Sequence, residues 1–169
     1  LGYDIEDGIP HGGYVWHTTG SGKTITSFKT ALFLSTRGSF DKVVFLVDRV
    51  ELDQKTSEHF KAYSVYESVI VDDTAHTHEL ERNLLAKGRG IVVTTIFKLN
   101  TLAKRYMEDN NTGLSDKNFV FIIDEDHRST MNDMMMNIKT YFKKNSLFYG
   151  YTGTPLFAES KAVGMINKK

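Results

Sequence analysis

Short runs of consecutive apolar residues, each followed by a longer amphipathic stretch, recur along this chain and leave few folds open to it. The runs are residues 14–16, 43–47, 68–71, 91–93, 119–123 and 147–151. Each has the length of a strand, is rich in β-branched or aromatic residues, and is apolar on successive positions. Strands covered on both faces read this way. Between them, residues 24–35, 51–62, 79–86, 97–107 and 132–142 carry helical periodicity. In the first of these, Ile25, Phe28, Leu32 and Phe33 are expected near one face. Residues 108–118 are polar with a glycine and read as a surface loop. Strands alternating with helices require right-handed crossovers. The pattern therefore predicts an α/β fold, a three-layer α/β/α sandwich around a mainly parallel sheet.

The 169 residues suit one domain with a real core, and 40% hydrophobic content with no Cys excludes disordered and disulfide-stapled classes. No apolar run approaches the ~20 residues of a bilayer span, so no membrane partner is expected. The first residues, LGYDIEDG, lack the basic and apolar regions of an export signal, and a cytoplasmic protein is expected. Lys and Arg (21) balance Asp and Glu (21). A stand-alone nucleic-acid binder usually carries a basic excess, so any such contact must come from a local patch.

Directly after the first run comes His17-Thr18-Thr19-Gly20-Ser21-Gly22-Lys23-Thr24, then a helical pattern. Glycines let the backbone turn tightly so that successive N–H groups converge on phosphate oxygens, and the helix N-terminus adds its positive dipole end. Thr19, Gly20, Ser21, Gly22, Lys23 and Thr24 are the expected phosphate-binding residues, with Lys23 reaching the terminal phosphates and Thr24 ligating Mg²⁺. His17 stands where the strict pattern has Gly. About 100 residues later, the run 119–123 ends in Asp124-Glu125-Asp126-His127-Arg128-Ser129. An apolar strand closing on paired carboxylates suits nucleotide hydrolysis, with Asp124 as metal ligand and Glu125 orienting the attacking water. Alone, such an acidic end could be a solvated turn or a helix cap; the phosphate loop upstream favours the site. ATP and Mg²⁺ are the expected ligands.

These motifs, with Thr152-Gly153-Thr154-Pro155 after the last run, resemble the superfamily 2 helicase and translocase motor. WHTTGSGKT, VDRVELDQKT, VTTIFKL, DEDHRS and YTGTP are similar to successive motifs of the restriction (motor) subunit of type I restriction–modification enzymes. Asp126 departs from that pattern, where Ala or Cys is more usual. The resemblance implies a RecA-like P-loop NTPase fold, with residues 1–13 as a lead-in, 14–157 as the first RecA-like domain and 158–169 as the start of a linker towards a second one. It implies that His127, Thr152 and Thr154 couple nucleotide state to DNA, and that Asp48, Arg49, Thr94 and Thr95 contact the DNA backbone. Loops at the carboxyl ends of parallel strands line one rim, and hydroxyls and an Arg there would grip phosphates without reading bases.

In the parent protein the resemblance implies ATP-driven translocation of double-stranded DNA, a nuclease domain elsewhere in the chain, and methylation and specificity subunits as partners. The second RecA-like domain would donate an arginine finger, worth ~10³–10⁵ in rate, so this segment alone is expected to hydrolyse ATP poorly. Another superfamily 2 helicase or repair translocase is the alternative. A P-loop kinase fits less well, because only six Arg are present and none forms a lid cluster. The methionines at 131 and 134–136 read as packing residues. His59, His76 and His78 match no zinc spacing, and Glu159-Ser160-Lys161 is too short a match to assign a nuclease role.

Overall fold

The computed structural model describes residues 2–6, 9–16, 23–37, 40–47, 58, 60–62, 68–72, 76–124 and 129–152. Among the described residues, seven strands form one sheet: β1 (Gly2–Glu6), β2 (Ile9–Trp16), β3 (Lys42–Val47), β4 (Val69–Val71), β5 (Ile91–Thr95), β6 (Phe119–Asp124) and β7 (Leu147–Thr152). Their order across the sheet is β1-β2-β7-β6-β3-β5-β4. All neighbours pair in parallel except β1, which is antiparallel to β2 at one edge. Among the described residues, the helices with both ends placed are α1 (Lys23–Arg37), α2 (Thr77–Leu85), α3 (Ile96–Glu108) and α4 (Ser129–Phe142), and residues 60–62 are helical too.

Strand alternation sorts the core into two layers. Val43, Phe45 and Val47 of β3, with Val120 and Ile122 of β6, pack under Phe28 and Ala31 of α1 and under Phe60. Val44 and Leu46, with Phe121 and Ile123, pack against α2, α3 and α4 through Leu80, Leu84, Leu99, Leu102 and Ile138. Phe45 meets Phe28 edge-on at 5.5 Å between ring centroids, and Phe121 stacks on Phe148 at 4.8 Å. Fully burying one such side chain is worth roughly 1.5–3 kcal/mol. β3 and β6 are buried at every position, which is why they read as unbroken apolar runs.

Local chemistry sets the helix ends. α3 starts with no intervening loop: Thr95 is both the last residue of β5 and the N-cap, its hydroxyl accepting from the Lys98 N–H at 3.3 Å. The helix stops where Asn110 turns into the left-handed region at φ 50. Beyond α2, Lys42 donates to the Ala86 and Gly88 carbonyls at 2.9 and 2.6 Å, filling acceptors that a helix end leaves open. Burial is the main cause holding its ammonium below the ordinary lysine range.

Two expectations change. Residues 2–13, read as a lead-in, instead build β1 and most of β2 and extend the sheet. Their polar and glycine-rich composition hid β1, an edge strand with β2 as its one neighbour, and a β2 whose Gly12 takes the close approach of β7. The inner face of α1 centres on Ser27, Phe28, Ala31 and Ser35, while Ile25 and Phe33 are 54% and 55% exposed. At 100° per residue those two fall outside the buried arc. The 108–118 segment is a loop as expected, but it is pinned. Leu114 is fully buried, the Ser115 N–H donates to the Tyr141 hydroxyl, and that hydroxyl donates to the Asn111 carbonyl.

Candidate nucleotide-binding site

All six parallel strands end at the same rim. β2 leads through six residues into α1, which runs back antiparallel to the strands and so starts at that rim. β7 lies between β2 and β6, with Trp16 opposite Thr152 and Tyr151 opposite Asp124. At ~4.8 Å per strand, the ends of β2 and β6 are about 10 Å apart. A triphosphate with its metal spans such a gap.

Asp124 is the one expected catalytic carboxylate among the described residues, and it is 1% exposed. Five apolar residues carry it into the sheet, and alternation from Val120 and Ile122 turns its side chain to the α1 face. A buried carboxylate at the mouth of a parallel sheet, on the face covered by the helix that follows the expected phosphate loop, is a hard oxygen donor of the kind Mg²⁺ takes. The donor chemistry therefore fits the ion. Lys23 and Thr24 form the first turn of α1. Thr19, Gly20, Ser21, Gly22, Glu125, Asp126, His127, Thr154, Asp48 and Arg49 lie outside the described residues. Thr152 closes β7 beside the end of β2.

The adjacent pair Thr94 and Thr95 divides. Thr95 is half-buried at the rim and caps α3. Thr94 is fully buried, and its hydroxyl donates to Asp72 Oδ2 at 3.4 Å. Successive strand residues point to opposite faces, so the two hydroxyls have different surroundings: that of Thr94 is engaged inside the fold and that of Thr95 at the start of α3. Asp72 also receives Lys98 Nζ at 2.6 Å on Oδ1, with Asp72 2% and Lys98 6% exposed. This buried ion pair ties the end of β4 to the first turn of α3.

Sequence reasoning missed Asp72, Lys98 and Tyr151. For Lys98 a signal existed, since an amphipathic α3 places a lysine among the inward positions Leu99 and Leu102. Tyr151 read only as the end of an apolar run, yet its hydroxyl donates to Thr30 Oγ1 of α1 at 2.9 Å.

A family model for the SWI2/SNF2 ATPase matches residues 4–166. The chain belongs to the SWI2/SNF2 ATPase family. This SWI2/SNF2 domain is 43% identical over 150 residues to a type I restriction enzyme endonuclease subunit of Staphylococcus saprophyticus, covering 89% of this chain and 16% of that subunit. It is 39% identical over 133 residues to the C-terminal part of a type I restriction enzyme endonuclease subunit, described as putative, of Mycoplasma pneumoniae, covering 78% and 63%. The chain thus spans about one sixth of the length of its Staphylococcus relative. Among solved structures it is similar to a nuclease-deletion mutant of the type ISP restriction–modification enzyme LlaGI in complex with a DNA substrate mimic. The TM-score there is 0.59 at 18% identity, covering 89% of this chain and 17% of that one. It is also similar to the DUF1998 helicase MrfA bound to DNA and AMPPNP, with a TM-score of 0.58 at 15% identity, covering 87% and 22%. At those identities the likeness shows the fold alone, an α/β domain of the RecA-like kind. Among the described residues, no helix of this SWI2/SNF2 domain is long and apolar enough to cross a membrane.

Proposed function

We propose that this chain is the first RecA-like lobe of a type I restriction endonuclease motor subunit. It binds and hydrolyses ATP and couples hydrolysis to translocation of double-stranded DNA, ahead of cleavage by a nuclease domain outside this segment. The observation that carries the reading is the place of Asp124, buried at the strand rim on the face that α1 covers. The 43% identity to a restriction endonuclease subunit supports the choice of system.

In this reading the backbone of Thr19, Gly20, Ser21 and Gly22 cradles the phosphates, and the start of α1 adds its dipole. Lys23 neutralises charge on the terminal phosphates. Thr24 and Asp124 hold Mg²⁺, which when bound offsets phosphate charge and orients the terminal group. Glu125 accepts a proton from the attacking water and aligns it. His127, Thr152 and Thr154 pass nucleotide state to the DNA side. Asp48, Arg49, Thr94 and Thr95 contact the DNA backbone, and the Thr94 hydroxyl also holds the rim from within. A second RecA-like domain of the parent chain completes the site. Methylation and specificity subunits supply sequence recognition in the cytoplasm.

The test is ATP turnover by the full-length protein with and without duplex DNA. DNA is expected to stimulate turnover, and Lys23→Ala is expected to abolish nucleotide binding or weaken it severely. Unstimulated turnover, or a Lys23→Ala variant that hydrolyses ATP normally, contradicts the proposal.

A further inference from the structure

Tyr151 sits where three parallel strands meet. Its partners across the sheet are Val15 of β2 and Asp124 of β6. The residue is 4% exposed and lies in the core layer beneath α1. The hydroxyl donates to Thr30 Oγ1 at 2.9 Å, and the Thr30 hydroxyl in turn donates to the Thr26 carbonyl at 3.1 Å. A phenyl ring would fill the same space. The oxygen adds a directional tie between segments 121 residues apart.

One end of that tie is α1. Thr30 lies seven residues from Lys23, about 10 Å along the axis at 1.5 Å per residue. The other end is the residue before Thr152, where β7 reaches the rim. The packed apolar side chains seat α1 on the sheet as a whole, whereas this hydrogen bond is directional, engages one strand, and weakens steeply once its geometry is lost. A shift of α1 along its axis must therefore carry the end of β7 with it or break this bond.

We propose that Tyr151 is a positioning residue that transmits the seating of α1 to the Thr152–Thr154 segment, and so couples nucleotide occupancy to DNA. The inference rests on the motor reading above. It assigns Tyr151 no contact with nucleotide or DNA.

The test uses the full-length protein. ATP turnover with and without duplex DNA, binding of a fluorescent ATP analogue and a denaturation midpoint are measured for wild type, Tyr151→Phe, Thr30→Val and the double variant. Tyr151→Phe is expected to bind the analogue and turn over ATP without DNA as wild type does, while stimulation by DNA falls about fivefold. Thr30→Val is expected to do the same, and the double variant to be no worse than either single one, as for two ends of one interaction. Full stimulation in Tyr151→Phe, with or without a lowered denaturation midpoint, overturns the inference alone. So do losses that multiply in the double variant, or a loss of analogue binding. Wild-type turnover indifferent to DNA overturns the motor reading and this inference with it.

Discussion

Lys98 holds its ammonium 2.6 Å from the Asp72 carboxylate, with the two side chains 8% and 0% exposed. The pair closes over a strand-to-helix corner that has no loop of its own, because β5 ends and α3 begins at adjacent residues. Its role is to fix the start of α3 against the end of β4, at the rim where Thr95 is placed.

Removing one partner takes the 2.6 Å ion-pair contact away from a buried charge. Lys98→Ala is therefore expected to destabilise the fold by about 3–5 kcal/mol in urea denaturation. Lys98→Met combined with Asp72→Asn removes both charges and is expected to lose clearly less. If Lys98→Ala alone unfolds at the wild-type midpoint, the pair does not hold the corner.

Gly12 of β2 has φ +152, and a Cβ added there would sit 1.6 Å from the Phe148 carbonyl oxygen of β7. The clash is with backbone on the strand that links β2 to β6, so no rotamer relieves it. Gly12→Ala is expected to lose about 3 kcal/mol or more of stability. Gly88 also has positive φ, at +97, but nothing lies within 4 Å of its added Cβ. Gly88→Ala is expected to lose only about 1 kcal/mol. Equal denaturation midpoints for the two variants would remove the steric explanation.

Glu81 receives hydrogen bonds from both Tyr106 and Arg105, joining α2 to α3. Burial, then the Glu81 bond, pushes the Tyr106 phenol up to about 12. The Tyr106 bond is the main cause that lowers Glu81 below its ordinary 4.5. For the tyrosine, a raised folded value means stability that is present below its unfolded value of 10.0 and lost as pH climbs towards about 12. For the glutamate, a lowered folded value means stability present above 4.5 and lost as pH falls through its folded value. Denaturation midpoints measured across pH are expected to fall on both flanks. Tyr106→Phe is expected to remove the share of the alkaline flank that Tyr106 contributes, and part of the share of the acid flank that comes from Glu81. Phenol absorbance from Tyr106 titrating at 10.0 would contradict this.

The central strands were legible because burial on both faces leaves a strand no room for polar residues. β3, at Lys42–Val47, and β6, at Phe119–Asp124, differ from the expected runs by a single residue at one end. The edge hairpin was not legible. Gly2–Glu6 has a neighbour on one side only, and Pro10, Gly12 and Gly13 in β2 look like turn residues until β7 is seen to approach Gly12 closely. At the site, Asp124 stood out because a carboxylate ended an apolar run. The division between Thr94 and Thr95 could not be read from two identical neighbours, since it depends on which face β4 brings Asp72 to. The Tyr151–Thr30 bond joins residues far apart in sequence and leaves no local pattern.

Glu125→Gln in the full-length protein tests the central claim most directly, because it separates holding a nucleotide from hydrolysing it. Binding of MgATP and its turnover in the presence of duplex DNA are measured on the same preparation. Binding is expected to persist while turnover falls by about 10²–10⁴-fold, the contribution of a positioned general base. Turnover equal to wild type would contradict the assignment of nucleotide hydrolysis to the acidic end of β6.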